Sequence, residues 1–123
     1  MNAYLSELKP DDFWRYLDRL VAGSHIIIDR PKGSHHPHYP GIVYPLDYGS
    51  LDGTTSSDSG GIDVWVGAPG THDLSAVILT VDLHKRDAEI KILLGCTEDE
   101  IQTILVFHNE NDMRATLVRK PKE

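Results

Sequence analysis

Apolar residues recur at helical spacing in only two places along this chain. Between residues 10 and 22, Phe13, Leu17, Leu20 and Val21 fall on one face, flanked by Trp14 and Tyr16. Pro10 can open this helix, Asp11 and Asp12 suit its positive end, and Gly23 can stop it. Between residues 97 and 108, Thr97 and Glu100 form a capping box, and Ile101, Ile104, Leu105 and His108 share a face.

Elsewhere the apolar runs are short and bounded by Gly and Pro, which predicts strands. His25–Asp29 carries three consecutive isoleucines, a pattern that predicts burial on both faces. Residues 31–41 read as a loop, Ile42–Tyr44 as a short strand, and 46–61 as turn-rich. Ile62–Val66 is another strand. Leu74–Leu83 and Ala88–Leu94 form a hairpin around His84-Lys85-Arg86, and Ala115–Arg119 is a last short strand before a frayed tail. Two helices among many short strands predict an α+β fold dominated by β, built as a small barrel or curled sheet. The absence of alternating βαβ units argues against a doubly wound sheet.

Composition narrows the function. The length of 123 residues predicts one domain, 1–123. A formal net charge of -7 with no basic patch argues against nucleic-acid binding. No apolar stretch is long enough for a bilayer, so no membrane partner is expected. No signal peptide is evident. The single Cys96 excludes an internal disulfide, fits a reducing cytoplasm, and reads as an ordinary free thiol.

The candidate chemistry lies in aspartates. Asp58 and Asp63 flank a turn leading into a strand, and Asp82 and Asp87 flank the hairpin turn at the same separation. If the two turns lie side by side, four carboxylates converge. They would repel one another unless hard cations such as Mg²⁺ filled the space. Asp and Gly are also common turn residues, so spacing alone leaves a purely structural role open. Arg30, Lys32, Lys85, Arg86 and the His35-His36-Pro37-His38 loop are candidate partners for a phosphate anion, or ordinary solvated groups. Zn²⁺ ligation by that loop is less apt, because its spacing fits no helical or knuckle motif.

Tyr44-Pro45-Leu46-Asp47-Tyr48-Gly49, followed by Asp58-Ser59-Gly60-Gly61-Ile62-Asp63 and an apolar strand, resembles the soluble family I inorganic pyrophosphatases. The hallmark of that family is Tyr-Pro-x-Asn-Tyr-Gly, then Asp-x-Asp-Pro-x-Asp, then two acids five residues apart, as Asp82 and Asp87 are. The likeness spans roughly residues 25–110. It implies an OB-like β-barrel with flanking helices and Mg²⁺-dependent hydrolysis of pyrophosphate by a homo-oligomer. The Val64-Trp65-Val66 run and the N-terminal helix are then candidate interfaces. It also implies metal ligation by Asp58, Asp63, Asp82 and Asp87, with Asp58, Asp63 and Asp87 catalytic. Phosphate contact falls to Tyr48, with Arg30, Lys32 and Lys91 as candidate cations. The sequence departs from the family at several points. Gly60 stands at the middle acid of the second motif, and Asp47 at the usual Asn. Glu89 stands where a Lys follows the last aspartate, and Glu110-Asn111 in the region of a Tyr-Lys pair. A non-catalytic module binding metal and phosphate is the alternative.

Overall fold

A computed structural model describes residues 7–58 and 60–122. Helix α1 (Asp11–Ala22) precedes strands β1 (Ile26–Arg30), β2 (Asp47–Leu51), β3 (Ile62–Val66), β4 (Leu74–Asp82) and β5 (Asp87–Leu94). Helix α2 (Glu98–Phe107) and strand β6 (Met113–Arg119) complete the chain. The strands form one six-stranded sheet in the order β1-β2-β3-β5-β4-β6. All neighbours are antiparallel except β3 and β5, which run parallel.

The alternation of side chains along the strands gives the sheet two buried faces. On one face, Val64, Val66, Val77, Ile92 and Leu94 pack against Trp14, Leu17 and Val21 of α1. On the other, Trp65, Ala76, Ile78 and Leu93 pack against Tyr44, Leu46 and Ile101 and Ile104 of α2. Each fully buried aliphatic side chain of this kind contributes about 1.5–3 kcal/mol of burial free energy. The capping box that starts α2 is formed in both directions, between Thr97 and Glu100.

Four expectations are corrected. The barrel is not closed: among the described residues the sheet ends at β1 on one side and β6 on the other. A run of short strands specifies curling but not whether the edges meet. The three isoleucines are not buried on both faces, because β1 is an edge strand and Ile27 is 47% exposed. Along α1 the buried stripe is Trp14, Leu17 and Val21, whereas Phe13 and Leu20 face outward. Val64, Trp65 and Val66 are consumed by the chain's own core, which removes them as an interface.

Strand β2 also differs from expectation. Its residues DYGSL lie in the region read as turns, while Ile42–Tyr44 forms only the isolated bridge His35–Val43. Asp and Gly are poor strand formers, and here tertiary context overrides propensity. At Gly49 a Cβ atom would stand 1.7 Å from the Ile27 carbonyl oxygen. Only glycine lets β1 approach β2 this closely, which gives the Tyr48-Gly49 pair a structural reason.

Candidate active site

The parallel pairing of β3 with β5 sets Asp63 opposite Lys91. Lys91 is only 5% exposed. Its ammonium has three N–H donors, and three oxygens receive them: Tyr48 Oη at 2.8 Å, Asp63 Oδ2 at 2.8 Å and Glu89 Oε2 at 3.0 Å. Burial by itself works against a charged amine. Tyr48 and the Asp63 carboxylate more than offset this and push the Lys91 pKa above its ordinary value. Burial also raises the pKa of Tyr48, and that of Glu89 despite its neighbour Lys91. The cluster thus holds one cation among two carboxylates and a neutral phenol.

Beneath this floor, Trp65 donates its indole N–H to His108 Nε2 at 3.0 Å. Indole nitrogen can only donate, so Nε2 must be the unprotonated nitrogen of a neutral imidazole. Burial, aided by the Lys91 charge, lowers the His108 pKa to about 3. The opposite nitrogen, Nδ1, lies 3.2 Å from Met113 Sδ.

A cationic rim rises beside the floor. Arg30 donates to the Tyr44 hydroxyl at 2.7 Å, and its guanidinium lies 5.5 Å from that ring's centroid. Tyr44 contacts Tyr48 at a centroid distance of 5.3 Å and stacks on His36 at an interplanar angle of 11°. His36 Nδ1 accepts from the backbone N–H groups of His38 and Tyr39. Burial first, then the charges of Arg30, His38 and Lys85, lower the His36 pKa. The loop that follows Arg30 leaves the sheet at the row that pairs Arg30, Tyr48 and Trp65. Asp47 pins the loop by accepting from the Lys32 backbone N–H at 2.8 Å.

Asp63 near the start of β3 and Asp82 and Asp87 at the β4–β5 turn lie toward the end of the sheet away from Arg30, and each aspartate has its own surroundings. Asp58 Oδ1 accepts from the Ser56 hydroxyl and from the Gly60 N–H, and these bonds lower its pKa. Asp82 Oδ1 accepts from the N–H groups of His84 and Lys85, closing the hairpin turn. Asp87 is the cross-strand partner of Asp82. Ser57 Oγ lies 3.4 Å from the Ala88 carbonyl oxygen, which sets the 52–61 loop beside the start of β5. Ser59 of the second motif lies outside the described residues.

Among the described residues, no group of three or more His, Cys, Asp or Glu side chains could hold a metal ion. The expected convergence of Asp58, Asp63, Asp82 and Asp87 on a shared ion is absent from this arrangement. Local N–H donors hold Asp58 and Asp82, and an ammonium holds Asp63. The donor set does not fit Mg²⁺ as it stands. Of the expected phosphate ligands, Tyr48 belongs to the Lys91 cluster, Arg30 is bonded to Tyr44, Lys32 meets Asp47 through its backbone N–H, and the Lys91 N–H groups are already engaged. His108 and Glu89 join the site's surroundings. His108 carried no motif signal, and only its place on the α2 face could have suggested it.

Cys96 fits its reading as an ordinary thiol, since burial pushes its pKa up to about 12.

Solved structures of three bacterial proteins are similar to this fold. The fold is pyrophosphatase-like. An inorganic phosphatase from Anaplasma phagocytophilum matches at 16% identity with a TM-score of 0.52, covering 76% of this chain and 81% of that one. An inorganic pyrophosphatase from Coxiella burnetii matches at 16% identity and TM-score 0.53, covering 75% and 81%. That of Helicobacter pylori matches at 15% identity and TM-score 0.54, covering 76% and 81%. No protein-family model and no curated protein sequence matches the chain. At these identities the likeness establishes the fold and leaves the chemistry to the side chains. Among the described residues, no helix is long and apolar enough to cross a membrane.

Proposed function

We propose that this chain is a pyrophosphatase-like protein that binds inorganic pyrophosphate or a related small phosphoanhydride. One observation carries the reading: Arg30 donates to the Tyr44 hydroxyl, and the Tyr44 ring lies between His36 and Tyr48. A guanidinium beside phenolic rings and an imidazole suits a compact polyanion. Lys32 adds charge at the loop's base. The aspartates at the rim disfavour larger anionic partners.

Hydrolysis of pyrophosphate supported by Mg²⁺ is the second reading. The pyrophosphatase-like fold favours it, as does the presence of Asp58, Asp63, Asp82 and Asp87 at one end of the sheet. Catalytic roles for Asp58, Asp63 and Asp87 belong to this reading. In it, Asp58, Asp63 and Asp82 give up their present partners before sharing an ion. A cytoplasmic homo-oligomer fits both readings, with the exposed Phe13, Tyr16 and Leu20 of α1 as the contact.

Calorimetric titration with pyrophosphate, in EDTA and in Mg²⁺, run beside a phosphate-release assay, separates the readings. Saturable binding without release supports the binding role. Release that requires Mg²⁺ and is lost in Asp63→Asn establishes the hydrolase. Neither binding nor release sinks both.

A further inference from the structure

We infer that Lys91 is the built-in cation of this site: its ammonium takes the place between Asp63 and Glu89 that a divalent ion would otherwise fill. The inference goes beyond the pyrophosphate reading and does not depend on it. It rests on saturation. Each N–H of Lys91 has an oxygen partner at 2.8–3.0 Å, and two of the three partners are carboxylates. The side chains of Lys91, Asp63 and Glu89 are 7%, 24% and 13% exposed, so solvent compensates the two acids only weakly. A hard divalent ion needs one or two carboxylates, with waters or other oxygens completing its shell. Asp63, Glu89 and the Tyr48 hydroxyl already surround one point, and Lys91 Nζ sits on it.

Charge arithmetic gives the consequence. With Lys91 present, one positive and two negative charges leave the cluster at -1. An additional ion would have to displace the ammonium or crowd against it. If Lys91 is replaced by an uncharged side chain, the cluster carries two poorly solvated negative charges. A divalent ion then neutralises it. Removing the lysine should therefore create a metal requirement that the natural chain lacks. The tether runs from Lys91 along β5, next to the strand that carries Asp63, so the cation cannot diffuse away or be chelated.

The test uses Mn²⁺ as the probe, followed by electron paramagnetic resonance and by thermal unfolding. Natural chain and Lys91→Met are compared. The natural chain is expected to bind no stoichiometric Mn²⁺ at submillimolar concentration and to melt at the same temperature in Mn²⁺ and EDTA. Lys91→Met is expected to gain one site, at least about tenfold tighter than any site in the natural chain. Its melting temperature should rise with Mn²⁺. Adding Asp63→Asn to Lys91→Met should remove the gain. Lys120→Met, which unpairs Asp18 outside this cluster, should gain nothing. A folded Lys91→Met with no new site overturns the inference. So does stoichiometric Mn²⁺ binding by the natural chain that Asp63→Asn abolishes. If Lys91→Met does not fold alone, recovery of folding in millimolar Mn²⁺ supports the inference, and failure to recover overturns it.

Discussion

Lys91 and Asp63 face each other across the parallel β3–β5 pair, with Nζ and Oδ2 2.8 Å apart. Glu89 sits on the same ammonium from two residues away. Breaking a buried ion pair from one side leaves the other charge uncompensated, which is costlier than the pair is stabilising. Lys91→Met should lower unfolding free energy in EDTA by about 2–3 kcal/mol, below the usual range for fully buried pairs because Asp63 keeps some solvent. Urea unfolding at neutral pH checks this.

The two acids should not be equivalent. Glu89 carries a raised pKa, caused first by burial, so its charge is the poorly tolerated one. Glu89→Gln keeps an oxygen for Lys91 and brings the cluster to neutrality. Its stability at neutral pH should stay within about 0.5 kcal/mol of the natural chain, whereas Asp63→Asn should lose about 1–2 kcal/mol. Equal losses in both variants would contradict this division of roles.

Trp65 and His108 predict a pH dependence. The folded-state pKa of His108 is depressed to about 3, from an ordinary value of 6.5. The unfolded chain therefore binds a proton that the folded chain refuses. The contribution is fully present above the ordinary value and is lost progressively as pH falls from there toward the depressed one. The slope from this group approaches about 1.4 kcal/mol per pH unit. His108→Gln should be less stable at neutral pH and should show a shallower decline between pH about 6 and about 4. Unfolding curves collected across that window measure the difference in slope.

Gly49 offers a steric test. A Cβ there would lie 1.7 Å from the Ile27 carbonyl oxygen and 2.8 Å from the Ile28 Cα, both backbone atoms that cannot rotate away. Gly49→Ala should cost at least about 3 kcal/mol by separating β1 from β2. Amide exchange should rise along β1 and β2 before it rises along β4. At Gly60 a Cβ would meet only the Asp58 side chain, at 3.3 Å. Gly60→Asp should therefore fold. With Lys91 still in place, it should not raise phosphate release from pyrophosphate. A rise on that single change would favour the hydrolase reading.

Much of this was legible in the chain, for identifiable reasons. Both helices were located by apolar spacing, though the buried face of α1 is Trp14, Leu17 and Val21, and the capping box of α2 is built from the two residues that spell it. The β4–β5 hairpin follows from alternation on either side of a charged turn. Strand β2 was not legible, because Asp47 and Gly49 disfavour strands and only the contacts to β1 and β3 make one. The aspartate spacings were legible, but their hydrogen-bond partners were not. Whether Asp58 and Asp82 serve an ion or their own turns depends on N–H groups that spacing cannot orient. The parallel β3–β5 pairing, which delivers Lys91 to Asp63, is a tertiary fact without a local signature.

The most direct test locates the ligand. The ¹⁵N-labelled chain is titrated with pyrophosphate in EDTA, and the backbone signals and the side-chain signals of Arg30, His36 and Lys91 are followed. Saturable shifts are expected at Arg30, in the histidine loop and at Tyr44 and Tyr48. The Lys91 ammonium should remain bound to Asp63, and the cleft lined by His25, His72 and Lys120 should stay unchanged. Absence of shifts, or shifts centred on that other cleft, would contradict it.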